Sequence, residues 1–118
     1  VDIKQLSSFI DQFVEVEGSH PFGPDALVYK VRDKMFAILA KREGREYVTV
    51  KGAPEDNEVM CSQFSDITPG YHTNKKHWVT IYFNGDAEDG LVEDLCERSY
   101  RLVVSKLSKA NRTQLGFD

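Results

Sequence analysis

The sequence predicts an α+β domain in which helices pack on a single antiparallel sheet. Apolar residues recur at helical spacing near both ends of the chain, and period-two runs of β-branched and aromatic residues lie between them. The links between the first of these runs are short enough for hairpins and too short for parallel crossovers. The expected order is helix, three strands, helix, one or two strands, helix. With 118 residues, one core can bury roughly two-thirds of the unfolded surface, so neither disulfides nor a structural metal is required.

Each element has its own local cause. Ile3, Leu6, Ile10, Phe13 and Val14 form an apolar stripe, and Asp2 with Gln5 can cap its start reciprocally. Prolines and glycines in Gly18-Ser19-His20-Pro21-Phe22-Gly23-Pro24-Asp25 break the chain into a loop. Strands are expected over 26–31, 35–41 and 46–51, with turns at Arg32-Asp33-Lys34 and around Glu43-Gly44. Pro54 suits a first helical position, followed by Glu55, Asp56 and Glu58 at the positive end of the dipole and by the apolar Val59, Met60 and Phe64. After the turn at Pro69-Gly70, Trp78 to Phe83 alternates as a strand with aromatics on both faces, Trp78 serving as a core anchor. A last helix, capped by Asp86 or Asp89, carries Val92, Leu95, Cys96, Leu102, Val103 and Leu107 on one side. Residues 108–118 are expected to be a mobile tail of the single domain 1–118.

Charge narrows the function. Lys and Arg number 15 and Asp and Glu 19, a net charge of −4, which argues against a protein built to coat phosphates. Any nucleic-acid contact must use a local patch. Cys61 and Cys96 form no short-spaced ligand set, fall among apolar neighbours, and are expected to be buried thiols in a reducing compartment. No continuous apolar run approaches the roughly 18 residues of a membrane span, and the chain does not begin with a basic-then-apolar leader, so a cytoplasmic location is expected.

Several segments resemble a known family: Pro21-Phe22-Gly23-Pro24-Asp25, Val28-Tyr29-Lys30-Val31, Lys34-Met35-Phe36-Ala37, Ser99 to Leu107, and above all Ile67-Thr68-Pro69-Gly70-Tyr71-His72-Thr73-Asn74-Lys75-Lys76-His77-Trp78. Together they resemble the MmcQ/YjbR family over nearly the whole chain. The resemblance implies a CyaY-like α+β fold, a small cytoplasmic bacterial protein, a description as DNA-binding, and no established catalytic activity. Gly52 stands where many members have cysteine, and Ser108 where proline is common.

The most informative segment is Tyr71 to Trp78. Lys75 and Lys76 can meet phosphates, Asn74 a base edge, and Tyr71, His72 and His77 can shape a stacking contact. The competing explanation is local: Pro69-Gly70 sets the turn and the lysines keep a hairpin tip soluble. A second basic group, Arg98, Arg101, Lys106, Lys109 and Arg112, extends the patch only if it lies near Lys75 and Lys76 in space. The alternative function is small-molecule or protein-partner binding centred on the same turn and the Phe22 loop. Phe22 itself is expected to plug one end of the core.

Catalysis lacks its parts. The two cysteines have no adjacent activating base, and there is neither a nucleophile elbow nor a phosphate-binding glycine loop. His20, His72 and His77 do not form a metal-ligand set, and the first helix carries too few carboxylates for an iron-binding ridge. The expectation is a monomeric binding module with no cofactor, no metal and no membrane partner, possessing weak affinity for DNA or another nucleic acid.

Overall fold

The computed structural model describes residues 1–117. Its elements are α1 (Ile3–Ile10), β1 (Val16–Ser19), β2 (Ala26–Val31), β3 (Lys34–Arg42), β4 (Arg45–Lys51), α2 (Pro54–Gln63), β5 (Ile67–Pro69), β6 (Trp78–Tyr82), α3 (Asp89–Ser105) and α4 (Lys109–Gln114). The strands form one six-stranded sheet in the order β1-β2-β3-β4-β6-β5, with every neighbouring pair antiparallel. The α+β class is therefore established.

Local chemistry accounts for the boundaries. The Asp2 carboxylate accepts from the Gln5 amide at 2.7 Å while the Gln5 side chain accepts from the Asp2 amide at 3.1 Å, closing a capping box at the start of α1. This helix ends at Ile10, earlier than its apolar stripe suggests, and Glu15 takes a left-handed φ of 54° as the chain enters β1. Val14 is consequently exposed, while Phe13 still reaches the core, its ring 5.0 Å from that of Tyr100. The β2–β3 and β3–β4 hairpins each turn on two residues of positive φ, Arg32-Asp33 and Glu43-Gly44, the geometry that matches strand twist.

Several expectations are corrected. Strand β1 lies partly within the segment expected to be a loop, because pairing with β2 supplies the order that its own glycine-containing sequence lacks. Glycine suits position 18, where a Cβ would stand 3.0 Å from the Tyr29 ring and force it to shift. Phe22 is 77% exposed and plugs nothing, since the loop turns outward at Gly23 with φ 108°. Trp78 is only half-buried, at the first residue of β6. Neither Asp86 nor Asp89 caps α3; the N-cap is Glu88, without a side-chain hydrogen bond. Asp86 instead accepts from the amides of Ser65 at 2.6 Å and Asp66 at 3.0 Å. The segment expected as a tail begins with α4, capped by Ser108, and Leu115 is buried in the core. Its final residue, Asp118, lies outside the described residues.

One sheet face carries the core. Tyr29, Ala37, Leu39, Val48, Val50, Val79 and Ile81 join Leu6 and Ile10 of α1 and Val92, Leu95, Cys96, Tyr100, Val103 and Val104 of α3 in one apolar cluster. The strand alternation puts Val28, Ile38, Ala40, Tyr47, Thr49, Thr80 and Tyr82 on the opposite face. Val28, Ala40 and Tyr47 are buried but stand outside that cluster, so among the described residues no helix packs its apolar side there.

Helix α3 is tied to the sheet through one hydroxyl. Tyr29 pairs with Ala37 and Lys30 with Met35, leaving Phe36 as the extra residue of a β-bulge. The β3–β4 ladder stops at Ala37 and Val50. Where its next rung would join Phe36 to Lys51, the Ser99 hydroxyl donates to the Phe36 carbonyl at 2.6 Å and accepts from the Lys51 amide at 2.9 Å. Ser99 is fully buried. Ser99→Ala is therefore expected to leave two backbone groups without partners and to cost about 2–4 kcal/mol. Thermal denaturation would show this as a Tm lowered by on the order of 10 °C; a melting curve like that of the parent would contradict the bridging role.

Candidate nucleic-acid and anion-binding surface

The β5–β6 connection is built from its own side chains. The Gly70 amide donates to the Trp78 carbonyl at 2.9 Å, and a side chain at Gly70 would strike the Thr73 hydroxyl and the Trp78 Cβ. Lys75 Nζ donates to the Gly70 carbonyl at 2.8 Å. Asn74 Oδ1 accepts from the amides of Lys76 at 2.9 Å and His77 at 3.3 Å, forming an Asx turn. Asn57, buried on α2, donates from Nδ2 to the carbonyls of Lys76 and Gly52, both at 3.0 Å. A Cβ on Gly52 would collide with the Asn57 side chain, which explains glycine at this point of the chain.

These contacts divide the residues expected to bind. Asn74 and Lys75 already serve the turn, whereas His72, Lys76 and His77 remain exposed. His72 takes a left-handed φ of 60°, a region that histidine enters more readily than most non-glycine residues. Its ring centroid lies 3.9 Å from that of Tyr71.

Tyr71 belongs to an aromatic group on the sheet face without helices. Its amide donates to Thr80 Oγ1 at 2.9 Å, and its ring meets Tyr47 edge-on at 6.2 Å between centroids. Tyr47 in turn meets Tyr82 at 5.7 Å. The Arg42 guanidinium lies 4.1 Å from the Tyr71 ring centroid and donates to the Tyr82 hydroxyl at 3.3 Å. Burial, then the neighbouring Tyr71 and Tyr82, raise the Tyr47 phenol above its ordinary value, so it stays neutral at physiological pH.

The second basic group is dispersed. Arg98 pairs with Asp94 at 2.8 Å and Arg101 with Glu97 at 3.0 Å, each one helical turn away on α3. Arg112 donates to the Leu107 carbonyl at 2.6 Å and thereby helps cap α3. Lys109 is exposed on α4. Lys106 reaches a depression of about 420 Å³ with Trp78, Lys51 and Lys34. Arg98 and Arg101 line an adjoining groove of about 460 Å³ between α2 and α3, which shares Lys51, includes Asp56, and has an apolar wall of Val50, Met60, Val79, Leu95 and Leu102. The Phe22 loop leaves the sheet at the Ala40–Tyr47 end near β1, and the β5–β6 loop leaves it at the Lys51 end. The two loops therefore leave opposite ends of the sheet, and Tyr71 folds back along it to reach Tyr47 and Arg42.

Sequence reasoning missed Arg42, Lys34 and Lys51, since only the tertiary fold brings them beside Tyr71 and Trp78: Lys51 by strand pairing, Arg42 by the loop folding over the sheet, and Lys34 at the shared depression. Among the described residues no group of three His, Cys, Asp or Glu side chains is arranged to hold a metal. Likewise, no helix among them is long and apolar enough to cross a membrane.

A profile of the YjbR family matches residues 11–102. The chain belongs to the YjbR family. Protein YbdF of Escherichia coli O157:H7 is 33% identical over 100 residues, covering 85% of this chain and 82% of its own. Protein YjbR of Escherichia coli K12 is 37% identical over 86 residues, covering 73% of each chain; both relatives are described as uncharacterised. A Deinococcus radiodurans structure of the DUF419 domain family superposes with TM-score 0.90 at 32% identity, covering 99% of this chain and 89% of that one. A Pseudomonas syringae structure shares the fold, with TM-score 0.76 at 24% identity over 86% of this chain and 98% of its own.

The turn geometry separates architectural residues from available ones. Asn74→Ala is expected to lower stability by about 1 kcal/mol and to speed hydrogen exchange at the Lys76 and His77 amides. Lys76→Ala should shift stability by less than about 0.5 kcal/mol. Equal losses from the two substitutions would argue against the Asx turn as the organiser of this loop.

Proposed function

We propose that this YjbR-family protein is a non-catalytic binding module for single-stranded nucleic acid, with its contact surface on the sheet face that carries no helix. The observation that carries this reading is Tyr71, half-buried against Tyr47, with Arg42 over its ring and Tyr82 alongside. An unpaired base can stack on an aromatic ring or a guanidinium plane, while the cation meets the adjoining phosphate. His72 borders this surface from the β5–β6 loop, its ring beside that of Tyr71, whereas Lys76 lies with Asn57 and Glu58 of α2. A net charge of −4 leaves only a local electrostatic attraction, so binding is weak and salt-sensitive. Single strands suit the surface better than duplexes because their bases can splay onto a stacking platform.

The thiols support a binding role over nucleophilic chemistry. Burial raises the Cys61 thiol above its ordinary value, and burial followed by the charge of Glu93 raises Cys96 far above it. Both are held in the unreactive thiol form.

A second reading is favoured by the groove between α2 and α3, whose volume of about 460 Å³ and apolar wall fit a small-molecule site. Backbone amide NMR at low salt with single-stranded DNA, single-stranded RNA and duplex DNA separates the two. The expected result is saturable, salt-sensitive shifts at Arg42, Tyr71, His72 and Tyr82, stronger with single strands. Tyr71→Ala should weaken binding by about 1–3 kcal/mol, and Arg42→Ala should lower the magnitude of the salt slope by about one. If none of the three polymers shifts this face, the nucleic-acid reading fails, and metabolite-induced shifts at Met60 and Leu102 would favour the groove.

A further inference from the structure

The depression at the Lys51 end of the sheet adjoins the α2–α3 groove and shares Lys51 with it; the groove includes Asp56, whereas the lining of the depression holds no acidic residue. Its lining is Lys34 and Met35 from the start of β3, Lys51 from the end of β4, Trp78 from the start of β6, and Val103, Lys106 and Leu107 from the end of α3. None of these residues is acidic. The ammonium groups of Lys34, Lys51 and Lys106 make no hydrogen bond or ion pair with any described residue, in contrast to Arg98 and Arg101 on the same helix. Three lysines without a hydrogen-bonded or ion-paired partner among the described residues thus line one depression with an indole and three apolar side chains, in a volume of about 420 Å³ suited to a small molecule.

The backbone explains why a hollow exists there. Ser99 takes the place of the rung between Phe36 and Lys51, so β3 and β4 are no longer directly bonded beyond Ala37 and Val50. On its other edge β4 keeps its ladder with β6 one rung further, to Lys51 and Trp78. The strands separate, and the end of α3 forms one wall of the gap.

We infer that this depression binds a phosphate monoester carried on a planar ring, the chemistry of a mononucleotide. Lysine ammonium groups are compact point charges that suit a phosphate dianion. The Trp78 indole offers a stacking face for the ring, and Met35, Val103 and Leu107 exclude water from its edge. The site does not depend on the aromatic surface around Tyr71, which uses different residues.

Trp78 is the only tryptophan in the chain, so its fluorescence reports on binding at this depression, and the lysine variants tell that signal from one transmitted through the β5–β6 loop. The test is a titration of the full chain at low salt with a nucleoside 5′-monophosphate, the matching nucleoside and inorganic phosphate. The monophosphate is expected to change the emission saturably and to bind at least tenfold more tightly than either fragment. The double variant Lys51→Gln, Lys106→Gln should lose at least tenfold in affinity, with Lys34→Gln as an independent second variant. Tyr71→Ala should leave this binding unaltered, so a failed nucleic-acid titration and a failed site remain distinguishable. A 5′-phosphorylated oligonucleotide that competes where its 5′-hydroxyl counterpart does not would identify a strand end as the source of the same phosphate. No saturable response, equal binding of the nucleoside, or undiminished affinity in lysine variants with native amide spectra would each overturn the proposal.

Discussion

The Ser99 hydroxyl is the constraint on which the arrangement of this molecule depends. A helix laid on a sheet is ordinarily held by apolar contact, which is non-directional and lets the helix slide. Here a buried hydroxyl stands between a carbonyl of β3 and an amide of β4, fixing the register of α3 against both strands at once. The Phe36 bulge makes this possible by pointing the extra residue into the core, where its ring lies 5.4 Å from that of Tyr100, the residue after Ser99. Beyond the last β3–β4 rung, Lys51 keeps its rung with Trp78 on β6 and the chain passes into Gly52 and α2. The fold and the position of the lysine-lined depression share this single cause.

The two faces of the sheet solve different problems. One face is filled by helices, whose apolar contacts are fixed in register by the Ser99 bridge. The other must remain ordered without a helix, and it uses cross-strand polar and aromatic contacts. Thr49 and Thr80 share a hydrogen bond of 2.7 Å at the centre, and Thr80 also accepts from the Tyr71 amide. That contact brings the β5–β6 loop over the sheet and sets the Tyr71 ring against Tyr47. The aromatic group is thereby pre-ordered, so a ligand stacking on it need not bear the entropy of arranging those side chains.

Much of the fold was legible because its causes are local. The Asp2–Gln5 box, Pro54 at the start of α2, the positive-φ hairpins and the alternating strands all follow from neighbours in sequence. The failures have non-local causes. β1 is a strand because β2 accepts it, and α4 is ordered because Leu115 reaches the core and Arg32 donates to Asn111 at 3.4 Å and Gln114 at 3.1 Å. Likewise, Tyr71 to His77 was visible as a basic-aromatic segment, yet composition could not distinguish Asn74 and Lys75, which build the turn, from Lys76 and His72, which face solvent. Nor could it bring Arg42 to Tyr71, a meeting that depends on how the loop folds over the sheet.

Charge placement supplies the last link between fold and function. The arginines of α3 lie one turn from carboxylates, a spacing that neutralises them on the helix surface and contributes modestly to its stability. The lysines at the end of the sheet come from separate strands and from the end of α3, where no acidic residue lines the depression. Helical periodicity can therefore satisfy the first group within one element. The second group is assembled only by the tertiary fold, and it lies where the β3–β4 ladder opens. In a chain with more acids than bases, an uncompensated cluster of that kind concentrates attraction at one place while the rest of the surface repels polyanions. Such a distribution favours a compact anion over extended electrostatic contact along a duplex, and it leaves the aromatic face to single strands whose bases contribute stacking of their own.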